Sequence, residues 1–128
     1  MEYVIQPDDK DRIIKVRATG KWDLEFGRAM SREIAETVAS TNLHLVLVDM
    51  RQVEIRASII QIYERVKELW DEHQSAKQTV WKVAAVLTLD DQEFKKEMQF
   101  FENTAQNRGL PYRIFSDMDE AFIWLTNP

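Results

Sequence analysis

Two short runs constrain this chain more than any other feature: Leu43-His44-Leu45-Val46-Leu47-Val48 and Val80 to Leu87. Each is apolar on both faces and too short to form a separate helix. Successive side chains of a strand point to opposite sides of a sheet, so a strand apolar on both sides needs cover on both. That is the pattern of central parallel strands in an α/β fold. Ala84 and Ala85 in the second run leave room for helices to approach closely.

The remaining segments supply partners for these strands. Tyr3 to Gln6 reads as a short strand, Pro7-Asp8-Asp9-Lys10-Asp11 as a polar turn, and Arg12 to Thr19 as a second strand. The latter alternates, with Ile14, Val16 and Ala18 on one side and Ile13, Lys15 and Arg17 on the other. The short connection predicts an antiparallel hairpin that ends where Gly20 breaks the strand. Asp23 caps a helix through about Ser40, whose stripe is Phe26, Met30, Ile34 and Val38. A second helix starts near Ala57-Ser58 and fades by His73-Gln74, with Ile59, Ile62, Val66 and Leu69 in line and Tyr63 and Trp70 flanking them. Asp90-Asp91 opens a third, with Phe94, Met98, Phe101 and Ala105, stopped by Gly109 and Pro111. Tyr112 to Phe115 is the last strand. Ser116 to Glu120 supplies caps for a final helix through Leu125, with the stripe Met118, Ala121, Phe122 and Leu125.

The order is β-β-α-β-α-β-α-β-α. It predicts a single α/β domain over residues 1–128, with a mostly parallel sheet, an N-terminal antiparallel hairpin, four helices and right-handed crossovers. At 128 residues a chain can bury one sizeable core without staples.

Composition removes several function classes. There is no Cys, so a disulfide framework, a thiolate metal site and a Cys nucleophile are excluded. The net charge of −5 argues against a nucleic-acid binder and against a surface drawn electrostatically to anionic lipid. No apolar run approaches a membrane span, and MEYVIQPDDK lacks the form of a secretory signal, so the expected location is the cytoplasm.

Sites in open α/β sheets favour the loops beyond the C-terminal ends of strands. Those places hold Asp49-Met50-Arg51, Asp90-Asp91 and Ser116-Asp117. Three acidic groups at one rim could bind a divalent cation, but helix capping already accounts for Asp90 and Ser116. His44 and His73 have no partner at metal-ligand or triad spacing. There is no Gly-x-Ser-x-Gly elbow and no Gly-rich phosphate loop. Glu33, Glu36, Glu64, Glu68, Asp71 and Glu72 fall mostly off the apolar stripes and read as a solvated face. No catalytic residue, cofactor or metal is expected. Phe100, Trp22 and Trp81 do not fall on core stripes, and they read as core, pocket or dimer-contact residues.

The strand–helix order, a buried strand ending in Asp49, and the tail Arg113-Ile114-Phe115-Ser116-Asp117-Met118-Asp119-Glu120-Ala121-Phe122-Ile123-Trp124-Leu125 together resemble the SpoIIAA-like, or STAS-like, proteins (sulfate transporter and anti-sigma-factor antagonist fold). Members of that fold switch partner proteins, often through phosphorylation of a serine at the start of the helix after the central strand. In the stretch Asp49 to Ser58, the resemblance puts Ser58 at the phosphoacceptor place and matches Val53, while Ala57 stands where aspartate is expected. Ser58 is equally a helix cap.

The resemblance implies a non-enzymatic regulatory or protein-interaction domain. Its partner surface would run from Asp49 through Arg51 and Arg56 to Ser58, with a protein partner and a homodimer as the expected assemblies. Because SpoIIAA-like proteins also resemble the lipid-binding lobe of the Sec14 fold, it implies an alternative: a carrier with a small-molecule or lipid ligand in an apolar pocket between sheet and helices.

Overall fold

In the computed structural model, residues 2–55, 61, 64, 65, 67, 68, 71, 81–89 and 92–127 are described. Five strands form one sheet in sequence order: β1 (Glu2–Asp8), β2 (Ile13–Trp22), β3 (Leu45–Ile55), β4 (Lys82–Val86) and β5 (Tyr112–Phe115). β1 pairs antiparallel with β2, and all later neighbours are parallel. The antiparallel hairpin and the parallel βα units are therefore as expected. The hairpin turn is held by Asp8, whose carboxylate accepts from the backbone N–H of Lys10 and Asp11 and pairs with Lys15 at 2.9 Å.

Three helices have defined bounds: α1 (Leu24–Thr41), α2 (Gln92–Asn107) and α3 (Met118–Thr126). Four were expected. The segment from Ala57-Ser58 to His73-Gln74, with its stripe Ile59, Ile62, Val66 and Leu69, lies largely outside the described residues, although Gln61, Glu64, Arg65, Lys67, Glu68 and Asp71 are helical. Asp90 and Asp91 lie outside them as well. Asp23 caps α1 as expected, its carboxylate accepting from Phe26 N at 2.8 Å. The cap of α3 is Asp117, which accepts from Glu120 N. α1 ends on Asn42 in the left-handed region at φ 61°, with its N–H on Val38 O. Gly109 follows α2 at φ 78°, and Leu110 N returns to Ala105 O.

The sheet order steps in one direction, so the crossover helices share one face and α3 takes the other. Ile14, Val16, Ala18, Val46, Val48, Met50, Val83 and Ala85 face α1 and α2, meeting Met30, Ile34, Val38 and Met98. Leu47, Ala84 and Val86 face α3, meeting Ala121 and Leu125. At the outer edge of β5, Glu102 of α2 accepts the Ile114 N–H at 2.8 Å, closing an edge that could otherwise pair with another chain.

Two expectations about strand ends are corrected. Gly20 does not break β2, which continues to Trp22. Gly20 sits at φ 106°, which only a residue without Cβ adopts at little cost. Nor does β3 end at Asp49 in a rim loop. It runs to Ile55, with Asp49 and Arg51 both inside the strand. The pairing explains why. Arg17 stands opposite Asp49 and Thr19 opposite Gln52, so Met50 and Arg51 together oppose Ala18 in a β-bulge. One extra residue re-phases the strand. Val46, Val48 and Met50 face α1 and α2 before the bulge, and Val53 and Ile55 do so after it.

Candidate functional site

Among the described residues, the face under α1 and α2 is not completely filled. A cavity of about 90 Å³ lies there, and its walls come from every part of that face. Trp22 from β2, Met50 and Ile55 from β3 and Ala85 from β4 form its floor. Gly27, Met30 and Ile34 of α1 and Met98 and Phe101 of α2 close its sides. Trp81, Pro111 and Tyr112 line its far end. The bulge in β3 matters here, because without the extra residue Ile55 would turn to the other face.

Gly27 fixes one wall. A Cβ on Gly27 would come within 2.6 Å of Trp22 Cζ2 and 2.9 Å of Trp22 Cε2. The indole thus lies across the helix backbone, in a space that only glycine leaves. Trp22 and Trp81, which core stripes did not place, are cavity residues. Phe100 is neither core nor cavity wall: it is 40% exposed on the outside of α2.

Among the described lining residues Arg65 alone carries a charge, and it is 3% exposed. Its Nη1 donates to Glu68 Oε2 at 2.9 Å. Glu68 is shared, since Arg28 of α1 donates through Nε to both of its oxygens at 3.0 and 3.1 Å. Arg28, ahead of Arg65, holds the Glu68 carboxyl below its ordinary range. Close by, burial pushes the Tyr112 hydroxyl up to about 12, against the opposing field of Arg65. Sequence reasoning missed Arg65. The signal was available: position 65 falls three after Ile62 and four before Leu69, on the apolar stripe, where a charge needs a reason.

The expected site residues divide. Asp49 and Arg51 are together, as a fork-on-fork pair with Arg51 Nε on Oδ1 at 3.0 Å and Nη2 on Oδ2 at 2.9 Å. The backbone N–H of Arg51 also donates to Asp49, and these hydrogen bonds hold the Asp49 carboxyl below its usual range, helped by Arg17. With both oxygens taken by a guanidinium, Asp49 is poorly placed as a nucleophile or metal ligand. Arg56 and Ser58 lie outside the described residues. Among the described residues no group of three or more acidic or histidine side chains could hold a metal ion, and no helix is long and apolar enough to cross a membrane. The Asp49–Arg51 pair adjoins a half-sheet that α3 leaves open, where Lys15 and Arg17 of β2 are exposed.

No protein-family model matches the sequence, and no curated protein matches it either. A solved structure does match: the crystal structure of an anti-sigma factor antagonist from Mycobacterium paratuberculosis, 15% identical, with a TM-score of 0.60, over 98% of this chain and 96% of that one. At that identity the likeness is one of fold. The chain has the STAS-like fold that its strand order and tail resemble.

Proposed function

We propose that this chain is a regulatory, protein-interaction domain of STAS type, working by binding rather than by catalysis. The observation that carries the reading is the likeness to an anti-sigma factor antagonist along nearly the whole chain. The partner surface is the open half-sheet around Lys15, Arg17 and the Asp49–Arg51 pair, together with Arg56 and Ser58, which follow β3 in the sequence. The neighbour is an anti-sigma factor antagonist, which makes an anti-sigma factor the first class of partner to try. Affinity capture with the wild type and with Arg17→Glu/Arg51→Glu tests this surface. The reading expects a protein partner that is lost on charge reversal and weakened by Ser58→Asp. A partner held equally by all three proteins contradicts it.

The cavity favours a second reading, in which the domain holds a small apolar ligand between the sheet and α1 and α2. An apolar cavity excludes water and gains contacts when a hydrocarbon fills it. Native mass spectrometry of the gently purified protein tests it: a bound small molecule supports the reading, and a clean mass of the bare chain, unchanged when hexanamide is added, counts against it.

A further inference from the structure

We propose that two copies of this chain join edge to edge through β1, antiparallel about a twofold axis at Val4, so that two five-stranded sheets become one. This surface is separate from the cavity, and it leaves the open half-sheet exposed. The two edges of the sheet differ. At β5, the Glu102 carboxylate takes the N–H of Ile114. At β1, among the described residues, β2 lies on one side and no strand on the other. An edge of that kind is a template for a further strand. It is also held in place: Tyr3 packs edge-on against Phe26 of α1 with ring centres 5.3 Å apart, and Asp8 holds Lys15 of β2. A strand fixed in this way has little freedom left to lose when it pairs.

Pro7 shows which backbone groups face outward. Proline has no N–H, and within a sheet it is tolerated where that side of the backbone faces away from the ladder. Pro7 stands opposite Ile14 in the pairing with β2 and so turns its nitrogen outward. Tyr3 and Ile5 share its phase and present their N–H and C=O groups with it. Charge and shape then select the register. With Val4 on the axis, Tyr3 of one copy meets Ile5 of the other. Each such pair exchanges both of its hydrogen bonds, and none calls on Pro7 for a donor. Val4, 55% exposed, meets its own copy in the close pair that exchanges no hydrogen bonds. Glu2 meets Gln6, an acid against an amide, and Lys15 stands next to Gln6 on β2, so each Glu2 also comes toward a cation of the other copy. Moving the axis to Ile5 would set Glu2 directly against Asp8, two like charges, and Tyr3 against Pro7. Moving it to Tyr3 would set Val4 against Glu2 and shorten the ladder.

Sedimentation equilibrium of the full chain across a wide concentration range reads the assembly. A contact through one short strand is small, so the expected dimer is weak and reversible, its mass rising from one chain toward two with concentration. Val4→Lys, which sets two cations together on the axis at an exposed position, should weaken self-association by about tenfold or more while the fold is kept. Because the chain has no Cys, introduced thiols read the register. Val4→Cys should form a disulfide-linked dimer under mild oxidation, since partners in a close pair stand about 4.5 Å apart at Cα, within disulfide reach. Gln6→Cys alone should not, whereas a mixture of the Gln6→Cys and Glu2→Cys chains should link as the mixed dimer. A wild type that stays a single chain throughout overturns the proposal. So does a dimer that survives Val4→Lys, or a Gln6→Cys chain that links to itself as readily as Val4→Cys does.

Discussion

The two faces of the sheet are built from the same strands and packed in opposite ways. On the α3 side, Ala84 and Ala121 are fully buried, Leu125 is 1% exposed, and Lys82 seals the end of the helix by donating to the Trp124 and Asn127 carbonyls. Small residues there bring helix and sheet together. On the α1 and α2 side, small residues do the reverse. Gly27 makes way for the Trp22 ring and Ala85 leaves floor space, while large aromatics hold the helices off the sheet. Small residues close a layer when they face each other and open one when they face bulky neighbours. The adjacent residues Ala84 and Ala85 therefore have opposite meanings.

Substitutions test that contrast. Leu125→Ala on the closed face should destabilise the fold by about 2–5 kcal/mol in denaturant unfolding, since a close-packed site cannot collapse around the lost atoms. The alkaline limb comes next. Because the Tyr112 hydroxyl is raised in the fold to about 12, its contribution is whole below about pH 10 and is lost as pH climbs through about 12. That amounts to about 3 kcal/mol. Tyr112→Phe should flatten the stability curve across this interval, and an unchanged slope would mean that the hydroxyl is not in the interior.

Ala84→Val and Ala85→Val form the sharpest pair. The first should cost about 1–3 kcal/mol by overpacking and the second less than about 1 kcal/mol, because its methyls enter free space. Equal costs would erase the distinction between the faces. Gly27→Ala should lose about 1 kcal/mol despite the better helix propensity of alanine, with a shift in tryptophan emission as Trp22 is displaced. The smallest effect is on the open half-sheet. Asp49 is depressed in the fold, so its stabilising contribution is present above the ordinary aspartate range near pH 4 and fades as pH falls through its folded value. Asp49→Asn should therefore lower stability modestly at neutral pH, with the loss vanishing as pH falls through the folded value, so that the acid dependence of stability there is reduced.

The strands and three of the helices were legible because periodicity reports burial. The double-sided run Val46 to Val48, the stripe from Met30 to Val38 and the Asp23 cap all stand as read. What the pattern hid was change of phase. The Met50–Arg51 bulge shifts the period of two by one residue, so the second half of β3 looks like a loop when the first half sets the expectation. Gly20 misled for a related reason: in a strand it permits an unusual φ as readily as it ends pairing. An apolar pocket between sheet and helices was implied only by the resemblance, and its lining was illegible because Trp22 and Arg65 come from distant segments and only packing shows that they share a void.

Xenon pressurisation monitored by proton–nitrogen and methyl NMR tests the central claim most directly, because xenon enters apolar space without needing a head group. A hollow face and a closed face predict shifts at the Trp22 and Trp81 indoles and the Met98 methyl, with the Trp124 indole and the Ala121 and Leu125 methyls unmoved. Uniform small shifts on both faces, or shifts confined to Trp124 and Leu125, would contradict it.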